Sequence, residues 1–182
     1  MVLLPSSGLE PASSASERRK EVVVNLVATG VYKGIIVDTA LKALIADKEE
    51  KLLSVAPDEL IATCVTKMNA AKVGAVLVID KGLLAGIFTE RDVLTKVIGT
   101  GIDSKKTSVS EVMTKNPITV SPEMTVSQAM YLITEKRFRH LPVMVDKKVV
   151  GLISSGDLTR WVVRHQEIEI RDLNNYIFGD KY

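Results

Sequence analysis

"GIFTERD", residues 86–92, and "GLISSGD", residues 151–157, say nearly the same thing. Gly86 and Gly151, Thr89 and Ser154, and Asp92 and Asp157 each stand 65 residues apart. A glycine, a hydroxyl and a carboxylate recurring in one register signal an internal repeat. At the same offset Val55 meets Val120, Pro57 meets Pro122 and Val78 meets Val143. Ile61, Cys64, Val65 and Met68 align with Val126, Ala129, Met130 and Ile133. Both sets have the i, i+3, i+4, i+7 spacing of one face of a helix. No gap is needed between residues 52 and 94.

Each copy then reads in one order. A short strand (52–55, 117–120) leads through a proline turn into the helix. A second strand follows (74–80, 139–145), then turn residues "DKG" or "DKK", then a third strand to Phe88 or Ile153. A last helix starts near Arg91 or Gly156, and Thr125 with Gln128 predicts a capping box. The unit is βαββα, its first two strands parallel and its last two a hairpin. One such unit is too small to bury both faces of its sheet, so two copies are expected to pack face to face. The expected fold is α/β (α+β), with tandem βαββα repeats packed in pseudo-twofold symmetry over 48–165. The polar loop 99–107 joins them. Short helices at 38–45 and 108–113 precede the copies, the first followed by a longer insert, "ADKEEK". The domain boundaries expected are an N-terminal extension 1–35, flexible or targeting, a first repeat 36–106, a second 107–166, and a C-terminal helical tail 167–182. Leu158, Trp161, Val162, His165, Leu173 and Tyr176 suggest one long final helix.

Composition narrows the function. The chain has 182 residues, 46% of them hydrophobic and 25% charged, ordinary for a globular protein. A net charge of +2 and 4% aromatics argue against nucleic acid and against a charged membrane surface. The apolar run 22–32 is too short to span a bilayer. Cys64 is the single cysteine, on the apolar face of a predicted helix, so it reads as a buried thiol. The two histidines have no companion cysteine or acidic cluster, so no metal site stands out. There is no Walker loop, "GTG" at 99–101 is a lone fragment, and no nucleophile has a base beside it in sequence. No enzyme activity is expected.

A tandem βαββα unit ending G-h-h-[ST]-x-x-D, with "RHLPV" at 139–143, resembles a CBS-domain pair, or Bateman module, over roughly residues 38–165. The tail "RDLNNYIFGDKY" is similar to the end of stand-alone plant CBS-pair proteins. The resemblance implies an adenosine-containing ligand: AMP, ADP, ATP or S-adenosylmethionine. It carries ribose contacts to Thr89 and Asp92 in one site and to Ser154 and Asp157 in the other. A carboxylate accepts from both ribose hydroxyls, a strong charge-assisted arrangement. Phosphate contacts fall to Arg139 and His140, with Arg91 as a partial substitute in the first unit, where Gly74 and Ala75 replace the basic pair. The second site is therefore the expected place for a phosphorylated ligand. The adenine slot falls to Leu53, Ser54 and Val76 and to Ile118, Thr119 and Leu141. A bland alternative stands beside this: hydroxyl and carboxylate three residues apart before a helix also form a capping signature, and both roles are compatible. The resemblance implies a stand-alone regulatory, energy-sensing module, a homodimer acting on an unknown partner protein. The alternative is a ligand-independent dimeric scaffold with a relict motif. The serine-rich start carries Glu10 and Glu17, which argues for the cytoplasm, with mitochondrion or plastid as alternatives.

Overall fold

Val55 and Val78 on one side, Val120 and Val143 on the other, anchor two half-molecules related by the 65-residue offset. The computed structural model of the chain describes residues 39–48 and 52–178. The expectations for residues 1–35, and the last residues of the tail, lie outside them. Helix α1 (Leu41–Ala46) comes first, then β1 (Ser54–Val55), α2 (Ile61–Ala71), β2 (Ala75–Asp80) and β3 (Leu83–Thr89). A short helical turn, α3 (Glu90–Asp92), runs into a π-helical segment, Val93–Ile98. Then come α4 (Val109–Val112), β4 (Thr114–Lys115), α5 (Val126–Lys136), β5 (His140–Val145), β6 (Lys148–Ser154) and α6 (Ser155–Phe178).

The first sheet has the order β1-β2-β3-β4, with β1 parallel to β2 and the other pairs antiparallel. The second sheet is the β5–β6 hairpin. The strand expected at 117–120 is reduced to one parallel bridge, Val120 to Val143, because Pro117 has no N–H to give and Pro122 follows at once. Both hairpins turn in two residues. Lys81 and Gly82 have φ of 49° and 82°, the signature of a type I′ turn, whereas of Asp146 and Lys147 only Asp146 is positive. Each hairpin shifts register at the same place, Val78/Ile79 and Val143/Met144. The bulge falls one residue before the repeated glycines.

Strand β4 was not expected from the sequence. It pairs Lys115 with Gly86 and Thr114 with Ile87. A Cβ on Gly86 would stand 2.5 Å from Met113 Sδ and 2.8 Å from the Thr114 carbonyl oxygen. Gly151 has the same role, with Ile45 Cδ1 2.9 Å away. The repeated glycine is thus a site of close approach by the segment that leads into the other repeat.

The cores are crossed. Val55, Ile61, Cys64, Met68, Val76, Val78 and Phe88 pack with Val109 and Val112 of α4. Val120, Val126, Ala129, Ile133, Leu141, Val143, Ile153 and Leu158 pack with Leu41 and Leu44 of α1. Backbone bonds fix the exchange: Leu41 N–H donates to Met124 O and Val109 N–H to Glu59 O, both at 2.8 Å. Burying each such side chain contributes about 1.5–3 kcal/mol, so neither repeat keeps its full core without the helix that precedes the other.

Candidate ligand-binding site

Each repeated motif ends a strand and opens a helix. The Thr89 backbone N–H and hydroxyl donate to Asp92 Oδ2 at 3.0 and 2.6 Å, and Asp92 N–H returns a bond to Thr89 Oγ1 at 3.3 Å. Ser154 and Asp157 repeat this at 2.8, 2.7 and 3.1 Å. Both carboxylates are buried. Their second oxygens meet cations one helical turn on, Lys96 Nζ at 2.7 Å from Asp92 Oδ1 and Arg160 Nη2 at 2.6 Å from Asp157 Oδ1. Lys48 Nζ adds a bond to Asp157 Oδ2 at 3.0 Å. Burial works to raise the Asp157 pKa. The bonds from Ser154 and the Lys48 ammonium outweigh it and hold the carboxyl below its ordinary value.

Three cavities among the described residues touch these groups: one of about 370 Å³ lies against Asp157, Lys48, Arg160, Trp161 and Arg164, and the other two also take in the motif hydroxyls. One of these two, of about 290 Å³, is lined by Ser154, Asp157, Lys48, Arg160 and Gly151, together with Leu53, Lys72, Gly74 and Ala75. The other, of about 490 Å³, is lined by Thr89, Asp92, Glu90 and Arg91, together with Pro117, Ile118, Phe138 and Arg139. The 65-residue offset maps much of one lining onto the other: Leu53 on Ile118, Val73 on Phe138, Gly74 on Arg139. Each cavity therefore takes its hydroxyl–carboxylate pair from one repeat and its strand end from the other.

Of the residues carried by the family resemblance, Thr89, Asp92, Arg91, Arg139 and Ile118 meet in the first-motif cavity, and Ser154, Asp157 and Leu53 in the second. His140 lines both. Arg139 stands with Asp92, not with Asp157, because the strand end crosses the seam. Arg91 spends one donor on the Arg137 carbonyl oxygen at 2.6 Å. Val76 and Leu141 are fully buried and line neither cavity, and Ser54 and Thr119 line neither. His140 sits at the head of β5. Burial lowers its pKa below the usual histidine value, Lys48 and Arg139 add to this, and Glu90 and Asp157 oppose it. The ring is therefore neutral at neutral pH.

Sequence reasoning missed Lys48, Lys72 and Arg160. Arg160 was legible as an i, i+3 partner of Asp157. Lys48 lies 109 residues from Asp157 and left no local signal. With them the Asp157 cavity holds three cations against one carboxylate, while the Asp92 cavity holds Arg91 and Arg139 against Glu90 and Asp92. His165 lies on α6, its ring 4.2 Å from that of Trp161. Among the described residues no His, Cys, Asp or Glu cluster suits a metal ion, and no helix is long and apolar enough to cross a membrane.

Comparison with known proteins bears on the family and the fold. The family model of the CBS domain matches residues 42–99 and 109–164. The CBS domain-containing protein CBSX3, mitochondrial, of Arabidopsis thaliana is 44% identical over 127 residues, which is 67% of this chain and 62% of that protein. This chain thus spans under two thirds of that relative's length. The solved structure of CBSX2 in complex with AMP superposes with a TM-score of 0.60 at 24% identity, over 70% of this chain and 98% of the other. The CBS pair of MJ0100, in complex with 5′-methylthioadenosine and S-adenosyl-L-methionine, gives 0.63 at 21%, over 71% and 99%. At these identities the two structures bear on the fold. Two matched domains, the crossed βαββα halves and the twice-repeated motif agree: the chain belongs to the CBS-domain family, as a tandem pair.

Proposed function

We propose that the chain is a regulatory CBS pair that binds an adenosine-containing ligand in the two cavities that take in the motif hydroxyls and modulates a partner protein. The observation that carries this reading is the crossed construction of both cavities around a buried hydroxyl–carboxylate pair, Thr89/Asp92 and Ser154/Asp157. Their volumes lie near or within the range usual for small-molecule sites, about 300–1,000 Å³. The carboxylates are the groups that would accept from ribose hydroxyls, with the exposed Arg160 and Lys96 swinging aside. Leu53 and Ile118 would meet adenine. The cation excess around Asp157 favours a phosphorylated ligand there. The AMP and S-adenosylmethionine complexes of the structural neighbours support the ligand class. The role is regulatory and not catalytic. Apolar residues left exposed on α6, including Ile170, Tyr176 and Ile177, support homodimer formation. The relative's name supports a mitochondrial location over the cytoplasm.

Binding to the native state alone adds about 2.7 kcal/mol at 100 times Kd. For a domain of this size that is a melting shift of about 5–10 °C. The test is a thermal-shift titration with AMP, ADP, ATP and S-adenosylmethionine on wild type, Asp92→Asn and Asp157→Asn. A shift reduced by each substitution is the expected result; none up to millimolar ligand, with all proteins folded, sinks the reading. The scaffold reading is favoured by one observation: both carboxylates already have full employment as caps and ion-pair partners.

A further inference from the structure

Among the described residues, two line both cavities: Gly74 and His140. A Cβ on Gly74 would lie 3.2 Å from Glu90 Oε2 and 3.4 Å from His140 Cε1. The wall between the cavities is therefore one bare backbone with a carboxylate and an imidazole against it. The ring nitrogens of His140 hydrogen-bond to no described residue, so they are available to ligands on either side. His140 faces Ser154 across the β5–β6 hairpin. The matching position in the first repeat is Ala75, facing Thr89. One imidazole thus serves two pockets.

We propose that His140 couples the two pockets: a phosphorylated ligand in either one draws a proton from solvent onto the shared ring, and the imidazolium so formed strengthens binding of an anionic ligand in the other. The inference rests on the adenosine-ligand reading above. The charged groups that act on the ring are Glu90 on α3, Asp157 on α6, Arg139 beside it on β5 and Lys48 after α1. Burial, Lys48 and Arg139 keep the ring neutral in the empty protein, so there is a proton to gain. A phosphate beside the ring favours its charged form. The ligand that arrives second then meets a cation already made. Linkage makes the effect reciprocal between the pockets. It vanishes at low pH, where the ring is charged before any ligand binds.

The experiment is isothermal titration of the full chain with AMP at pH 7, in buffers of different ionisation enthalpy. Asp92→Asn and Asp157→Asn isolate one pocket each, and His140→Gln removes the shared group. In wild type the first AMP should take up a proton beyond that seen with His140→Gln. The second AMP should bind about tenfold tighter than to the same pocket alone, within the span usual for coupled sites. Adenosine, without a phosphate, should show neither effect. In wild type the coupling should fade only as pH falls through the folded pKa of His140, which burial holds below the ordinary histidine value, so the titrations are repeated in steps down the acid range. Isolated-pocket affinities that reproduce the wild-type steps at pH 7 overturn the coupling and leave the adenosine reading intact. Uptake and coupling that survive in His140→Gln overturn the role of His140. Failure of folded wild type to bind AMP or adenosine at all removes both.

Discussion

Asp157 and Asp92 occupy the same place in two repeats, yet their removal should cost different amounts. Asp157→Ala deletes an acceptor for Ser154 N–H and Oγ, for Lys48 and for Arg160. The capping box is worth about 1 kcal/mol. The half-buried Lys48 bond, charged on both sides, adds about 1.5–2 kcal/mol. Arg160 is 71% exposed, and its pair contributes about 0–0.5 kcal/mol. The total is about 3 kcal/mol. Asp92→Ala loses an equal cap, but its cation, Lys96, is 40% exposed and its bond from Thr114 is long at 3.5 Å, so the expected cost is about 1.5 kcal/mol. Asp157→Asn keeps an acceptor for Ser154 and loses the charge, for about 2 kcal/mol. The assay is urea unfolding, read as a midpoint change at constant slope. The pH dependence has a definite sign. A carboxyl whose folded pKa is depressed contributes fully above its ordinary value of 3.8, and the contribution is lost as pH falls through the folded pKa. The gap between wild type and Asp157→Asn should therefore hold at pH 7 and at pH 5 and close only in stronger acid. If Asp157→Asn is as stable as wild type at neutral pH, or Asp92→Ala is the costlier change, this accounting of the site is wrong. A more stable Asp157→Asn would instead mark a carboxylate held against stability for the sake of a ligand.

Gly86→Ala should destabilise by about 2–3 kcal/mol and Gly151→Ala by about 1 kcal/mol, because the first clash is with backbone of β4 and the second with the movable end of Ile45; denaturant midpoints measure both. Cys64 is fully buried, and burial together with Glu59 pushes its thiol up to about 11. It should resist a thiol reagent at pH 7.5 and react fully in denaturant; rapid labelling of the native protein would contradict its place in the core. Leu41→Ala should cost about 2–4 kcal/mol. Hydrogen exchange should quicken in α5 before α2, since Leu41 packs with Val126, Ala129 and Ile133; the reverse order would deny the crossed core.

The repeat was legible because its chemistry recurs at one offset. Gly86 and Gly151, the apolar faces of α2 and α5, and the Thr125–Gln128 box could all be read from residue type and period, and all stand in the structure. Local pattern carried no address, however. Leu41 and Leu44 announce an apolar helix, but nothing in their spacing says which repeat they cover. Thr114 and Lys115 form a two-residue strand through backbone alone, beneath any periodicity. The π-helical stretch Val93–Ile98 follows a motif whose twin opens a 24-residue helix, so the repeat itself argued against it. The site divided along the same line. Thr89 with Asp92, and Ser154 with Asp157, stand three residues apart, so each pair could be read from sequence; Lys48 and Lys72 reach the Asp157 cavity only through tertiary structure.

The crossing bears directly on the proposed regulation. A ligand can shift a protein only by binding two arrangements unequally. A pocket built inside one repeat would stabilise that repeat and leave its partner where it was. Here the Ser154/Asp157 pair faces Leu53 and Lys72, and the Thr89/Asp92 pair faces Ile118 and Arg139, so any occupant must hold the two repeats together. Helices α1 and α4 are exchanged across the same seam, and α1 is tied to the Asp157 cavity through Lys48 and to α6 through the Asp47–Arg164 pair at 2.9 Å. A ligand that draws Arg160 or Lys48 away from Asp157 thereby acts on both ends of the described chain, and α6 is the element that leaves the repeats with its apolar residues uncovered. Among the described residues, each seam cavity is thus a place where one small occupant would touch both repeats at once.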